Sequence, residues 1–486
     1  LVALSYFLFG DSDTSARIPA ALFSIATVLF IWNYRRYLGR AGALVTALFY
    51  VISPFILYYG RYVRNEAFVA FFGVVSLWLI LRYLELGRPK YLYWFTAITV
   101  LHYTTKETSY IYTAQTLLFL AIYLIYRLIT KPWVNEKARK GFILSLILVL
   151  LFFLAGILAI SLQPSPVQTL PDSETQVVSS SALSNPIVRG AFAAAAAGLV
   201  AAIYFALSGY TLARIRQERS FDLAMLLGTL VLPTLSPFII NLTNTKVPVN
   251  ANQVNELTSQ DIFLMALVII PIFLATILLG LWWNRRQWLI NAAIWYGIFT
   301  VLYTTLFTNG AGFVTGLVGS LGYWLAQQEV NRGSQPWYYY AAVQVPIYEY
   351  LFALGSLLAL GLALIRKNIT KAAWLSFTKS PPQYQDDDLL LNTVKNNTIE
   401  NNETLELSNA EPSEPPPTIA LLGFWAISSL IAYSVAGEKM PWLTVHITLA
   451  MIPLAGWYIG HLIEATRWAK FKENSAWLTI PLLAVF

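Results

Sequence analysis

Cysteine is absent from the 486 residues, and histidine occurs only three times. No disulfide can staple a loop, no thiol can act as a nucleophile, and no Cys-based metal site can form. The histidines, His102, His446 and His461, fall in separate apolar segments with no metal-ligand spacing, so no metal site is expected. Charge is scarce: 12% of residues are Asp, Glu, Lys or Arg, against about 25% in a soluble domain. No Lys/Arg block is long enough to track a nucleic-acid backbone. The net charge of +7 therefore points to membrane topology, and no nucleic-acid partner is expected. No internal repeat is visible, which weakens a transporter built from inverted repeats.

What is abundant is apolar and aromatic. Hydrophobic residues make up 57% of the chain, with 16 Trp and 28 Tyr, and mean hydropathy is +0.58. The apolar residues recur in runs of about 17–24, the length a helix needs to cross about 30 Å of hydrocarbon. This excludes a soluble enzyme and a disordered chain. No alternating barrel pattern occurs, so the spans are helices. The expected fold class is all-α, a polytopic membrane protein with about 13–14 spans. They fall near 16–34, 41–59, 66–82, 91–103, 109–127, 141–162, 190–213, 221–241, 261–282, 288–306, 346–365, 418–435, 443–464 and 475–486. The chain opens at Leu1 and stops inside an apolar run at Phe486, so both ends read as incomplete, with a further helix and loop expected upstream.

Lys and Arg stay on the cytoplasmic side. Placing Arg35, Arg36 and Arg40 there and alternating puts roughly 24 of the 32 basic residues inside. A transmembrane core then covers 1–365, with outer loops at 163–189, 242–260 and 307–345. A polar cytoplasmic insert follows at 366–417, too poor in apolar residues to bury a core. C-terminal helices at 418–486 carry an outer GEKMPW turn. Asp386–Asp388 lie in the insert and read as solvated charge, not as a metal motif. The sequons at Asn241, Asn368, Asn396 and Asn402 mostly fall inside and carry no assigned meaning.

Eight cations break the positive-inside pattern: Arg17, Arg61, Arg64, Lys106, Arg189, Lys246, Arg332 and Lys439. A charge near the hydrocarbon boundary is costly and usually paired, which marks a functional candidate. In SPFILYYGRYVRNEAFVAFF, Arg61, Arg64 and Glu66 gather where a span begins, and two guanidinium forks suit a phosphate. The alternative is a snorkelling Arg pair neutralised by Glu66 and headgroups. In HYTTKETSYIY, Lys106 and Glu107 close a short helix, as a buried polar pocket or as an interfacial loop. The stretch 307–340 with Glu349 offers Tyr323, Trp324, Arg332, Gln335, Trp337 and Tyr338 for contacts to a sugar or acceptor. A membrane-surface aromatic belt explains those rings equally well. In YSVAGEKMPWLTVHITL, Lys439 sits in a tight turn with Trp442 and His446 just inside, as a phosphate contact or as a solvated turn over a core histidine.

Taken together, FGDSDTSARIPAALFS, SPFILYYGRYVRNEAF, TTKETSY, YWLAQQEVNRGSQPWYYY and GEKMPW resemble the integral-membrane GT-C glycosyltransferases of family 39. Protein O-mannosyltransferases and lipid A aminoarabinose transferases belong to that family. The likeness is greatest to a prokaryotic branch labelled flippase-associated, and it covers about 1–130 and 300–465. It implies a polyprenyl-phosphate sugar as donor, with transfer on the outer face of a prokaryotic plasma membrane. It implies no firm cofactor and leaves a divalent metal open. Its partners would be the bilayer and the polyprenyl-phosphate lipid, with protein partners unspecified. The resemblance also implies a catalytic Asp in the first outer loop, upstream of Leu1, so no catalytic residue is assigned within the sequence. Arg64 and Glu66 match the family's polar cluster at the start of its third helix. Lys106, Glu107 and Lys439 match positions near the donor phosphate or acceptor. The chemistry is coherent: a carboxylate base activates the acceptor hydroxyl, and fixed cations stabilise the departing phosphate. The alternatives are a lipid-linked-sugar binder or flippase without turnover, or a non-catalytic membrane subunit.

Overall fold

The computed structural model describes residues 1–162, 185–241, 247–328, 335–369, 415–437 and 439–466. Among these residues the chain is helical and has no strands. In chain order the main helices are α1 (Val2–Phe9), α2 (Asp13–Phe30), α3 (Arg40–Ile52), α4 (Pro54–Tyr59), α5 (Glu66–Leu86), α6 (Pro89–Tyr103), α7 (Ser109–Thr130), α8 (Glu136–Ser161), α9 (Pro186–Gly209), α10 (Arg219–Val231), α11 (Ser259–Tyr303), α12 (Ser320–Gln328), α13 (Tyr350–Ile369), α14 (Thr418–Val435) and α15 (Thr444–Ala465). Their starts are written locally. Ser12 and Ser15 form a capping box on α2, Asn135 caps α8, and Pro54, Pro89 and Pro186 occupy first-turn positions.

Nine of the described helices are long and apolar enough to cross a membrane. A tenth arises if Tyr339–Tyr348 and Tyr350–Ile365, bent by 107°, form one broken span. The chain is a multi-pass, all-α membrane protein. Several expected segments take a different form. The run at 41–59 is cut by Pro54, which ends α3 and starts α4 with Ser53 as cap, because proline cannot donate within a helix. The segment at 91–103 is a helix of 15 residues. The pair at 261–282 and 288–306 forms one helical stretch of 45 residues, broken at Asn284, where φ is −157° and ψ is 101°. A straight helix of that length would run about 68 Å, twice the hydrocarbon thickness. The Asn284 side chain accepts from Gln287 N at 3.1 Å and so caps the second half. The expected segment at 475–486, most of the polar insert and most of the expected outer loop at 163–189 lie outside the described residues.

The chain divides into two compact units. The first comprises Leu1–Phe119 and Leu223–Phe486. Its centre is α15, apolar on every side and buried along nearly its whole length, as a helix without a polar face must be. It packs on α3 and α13. A Cβ on Gly460 would strike the Gly42 backbone, so the two helices touch main chain to main chain there, the close approach small residues allow in lipid. Helix α5 is similarly enclosed. The second unit, Leu120–Asp222, is built on α8 against α9. Its core gathers Leu128, Trp133, Phe142, Ala206 and Tyr210. The outer faces of α8 and α9 expose many Leu, Ile and Phe, which suits contact with lipid tails.

Candidate functional site

Three chain connections in the first unit meet at the start of α5. The first leaves α4 at Gly60, where Ser24 Oγ donates to the Gly60 carbonyl at 3.0 Å. It turns tightly through Arg61–Asn65, with Arg64 N donating to Tyr62 O at 2.7 Å. The second is Thr104–Thr108 between α6 and α7; both Thr105 N and Lys106 N bond back to His102 O at 3.0 Å. Asn65 Nδ2 donates to Thr105 O at 2.9 Å and ties the two connections together. The third is the turn before α15, where Pro441–Leu443 form one 3-10 turn.

Glu66 opens α5, and only 1% of its surface is exposed. A carboxylate in a first turn is favoured by the helix dipole, but burial without partners would cost several kcal/mol. Lys106 Nζ donates to its Oε1. Arg64 Nε lies 3.4 Å from its Oε2. Oε2 itself accepts no hydrogen bond among the described residues. The central carbon of the Arg64 guanidinium sits over the indole of Trp442, 3.8 Å from the ring centroid. A stacked guanidinium keeps its in-plane donors. One carboxylate thus faces two cations, and the cluster carries one surplus positive charge.

Below it lies a buried layer of rings. His102 meets the Tyr112 ring edge-on at 4.7 Å. Tyr112 Oη and His446 Nδ1 are in hydrogen-bond contact at 3.1 Å. His446 stacks on Tyr433 at 5.2 Å. Beside the cluster is a polar chamber of about 310 Å³, walled by residues that include Thr104, Lys106, Glu107, Tyr303, Thr315, Ser320 and Tyr323. Lys106 belongs to both the chamber wall and the ion pair.

The structure therefore brings Arg64, Glu66, Lys106 and Trp442 together, and places Glu107 and Tyr323 on the adjoining chamber. His446 lies in the ring layer. Arg61 is exposed. Lys439 is half-buried and donates to Ala436 O at 2.9 Å, not to Glu66. Glu349 is fully buried elsewhere: it accepts from Ser53 Oγ at 2.8 Å and from Phe55 N at 2.9 Å, closing the open N-terminus of α4. Trp337 and Tyr338 stand on the surface, 73% and 46% exposed. Gln335 is exposed and Trp324 half-buried. Lys246, Arg332 and Glu438 lie outside the described residues. Among the described residues, no three His, Asp or Glu side chains gather as a metal-binding group.

Asn65, Tyr112 and Tyr303 were not singled out by sequence reasoning. Asn65 and Tyr112 sit inside the motifs that carry Glu66 and Lys106, so their position was visible. Their partners were not, because Thr105 and His446 reach them across the fold. Tyr303 ends an apolar run and carries no local polar signal.

Residues 1–157 match the family model described as dolichyl-phosphate-mannose-protein mannosyltransferase. The match supports a membrane glycosyltransferase of the GT-C type. Arg64, Glu66, Lys106 and Glu107 fall inside the matched span, whereas Trp442 and the wall at 303–323 fall outside it. No curated protein and no solved structure matches the chain.

Proposed function

We propose that this chain moves a sugar from a polyprenyl-phosphate donor to an acceptor on the outer face of a prokaryotic plasma membrane, with Arg64 and Lys106 holding the donor's phosphate. The observation that carries this reading is the pairing of two cations with one buried carboxylate. Glu66 fixes Lys106 and Arg64 before any ligand arrives, so their charges need little rearrangement as the phosphate leaves. Arg64 offers its η nitrogens, which make no hydrogen bond among the described residues. The Trp442 ring lies against the fork. Lys106 contributes a point charge on the other side of Glu66.

In the transfer, the bond from the anomeric carbon to the phosphate oxygen breaks and its electron pair leaves with the phosphate. A bond from the acceptor oxygen to that carbon forms on the opposite face, and a carboxylate base takes the acceptor's proton. The residues assigned here serve the leaving group.

The test is transfer from a defined polyprenyl-phosphate hexose in reconstituted vesicles. Arg64→Gln is expected to lower the rate by about 10²–10³-fold, as removal of one preorganised electrostatic donor does. Arg64→Lys keeps the charge but loses the fork, and should restore only part of it. Transfer unchanged in Arg64→Gln would overturn the assignment. Donor binding without turnover in the wild type would favour the binder or flippase reading instead.

A further inference from the structure

The chamber beside the ion pair has three features that a loose packing gap lacks. Its wall includes a π-helical turn, Thr315–Gly319, which contributes Thr315 and leads into Ser320. Such wide turns concentrate at functional sites. That turn is held close: a Cβ on Gly319 would strike the carbonyl oxygen of Pro248. A Cβ on Gly316, in the same turn, would strike the Tyr303 ring, so that chamber-wall ring packs directly on the turn.

The chemistry of the chamber is specific. Thr104, Thr315, Ser320 and Tyr323 line it with hydroxyls; Thr104 and Thr315 donate to Leu101 O at 3.0 Å and Gly312 O at 3.2 Å and keep lone pairs that sugar hydroxyls can donate to. The volume of about 310 Å³ lies at the small end of ligand pockets, which run about 300–1,000 Å³. Glu107 is half-buried on the wall and joins no ion pair among the described residues. The ammonium of neighbouring Lys106 is taken by Glu66. The chamber's own charge is therefore negative, while the cluster next door is positive.

We infer that this chamber receives the sugar ring of the donor, and that Glu107 makes it select a neutral or amino-bearing sugar and reject a uronic acid. The inference rests on the phosphate reading above, since Lys106 is what joins the two compartments. A ring docked on this side of Lys106 presents its hydroxyls to Thr315, Ser320 and Tyr323, and one of them, or an amine, donates to the Glu107 carboxylate. A sugar carboxylate in that place would meet a like charge in a partly dry pocket, a repulsion expected to weaken binding about tenfold or more.

The experiment measures binding of three probes to the full chain in lipid nanodiscs at neutral pH: polyprenyl phosphate, polyprenyl-phosphate hexose and polyprenyl-phosphate hexuronic acid. Wild type should favour the hexose over the hexuronate by about tenfold or more. Glu107→Gln should bring that ratio below about threefold while leaving bare polyprenyl phosphate unchanged. Glu107→Asp, which keeps the charge, should keep the preference and controls for folding. A second variant, Thr315→Val, should weaken the hexose-bearing lipid but not the bare phosphate. A hexose-to-hexuronate ratio unaltered in Glu107→Gln, with bare phosphate still bound, overturns the chamber assignment alone. Failure of wild type to bind bare polyprenyl phosphate overturns the phosphate reading beneath it.

Discussion

Helix α5 carries a buried carboxylate at each end, and the two are held differently. Glu85, near its C-terminus, is 7% exposed. It accepts from Arg36 Nε at 2.6 Å, Tyr37 Oη at 2.8 Å and an Arg82 η nitrogen at 3.1 Å. Arg82 in turn donates to Tyr91 Oη at 3.2 Å. A carboxylate at a helix C-terminus opposes the dipole, so it needs this many donors. Glu66, at the N-terminus, has the dipole in its favour and far fewer bonds: one from Lys106 and an ion contact to Arg64 at 3.4 Å. The Glu85 cluster is saturated and structural. The Glu66 cluster is left with donors to spare. Both look alike as sequence, an acid among arginines at a helix end, and only hydrogen-bond satisfaction separates them.

The sharpest way to break this contrast is to remove one charge from each cluster. Lys106→Met should abolish measurable transfer and destabilise the protein by about 3–5 kcal/mol, because a buried carboxylate loses its main partner. Thermal unfolding and the vesicle transfer assay read the two effects separately. Glu85→Gln should cost about 1.5–3 kcal/mol of stability through its charged hydrogen bonds, yet leave the rate per folded molecule within about twofold. If it instead costs activity and not stability, the two ends have been assigned the wrong way round. Trp442→Leu removes the stacking partner of Arg64. A cation–π contact contributes about 0.5–2 kcal/mol, so donor affinity should fall about threefold to thirtyfold, measured by titrating polyprenyl phosphate. Smallest of all, Trp337→Ala should change transfer by less than about twofold, since its ring is 73% exposed and touches neither cluster nor chamber. A large loss there would restore the aromatic stretch as a sugar contact.

The membrane class was legible because hydrocarbon thickness fixes helix length, and that signal is local. The pairing of Arg64 with Glu66 was legible for the same reason: both lie within three positions of one helix start. Lys106 was singled out as a misplaced cation, but its partner could not be read, because 40 residues of chain separate it from Glu66. Glu349 shows the opposite error. Its position after the Tyr run invited a binding role, whereas it closes the bare N-terminus of α4 through Ser53 and Phe55, a need set by Pro54 almost 300 positions away. The chamber was illegible in its decisive parts, since a π turn and the packing of Tyr303 on Gly316 have no residue signature. The division of the chain at Leu120–Asp222 likewise follows from which helices pack together, which hydropathy does not encode.

The central claim is that Arg64 and Lys106, poised on Glu66, receive a lipid phosphate. A structure of the full chain in a nanodisc loaded with polyprenyl phosphate tests it most directly. Phosphate oxygens are expected about 2.7–2.9 Å from the Arg64 η nitrogens and Lys106 Nζ, with the guanidinium still over the Trp442 ring. A phosphate bound elsewhere, with both cations still occupied by Glu66 alone, would contradict it.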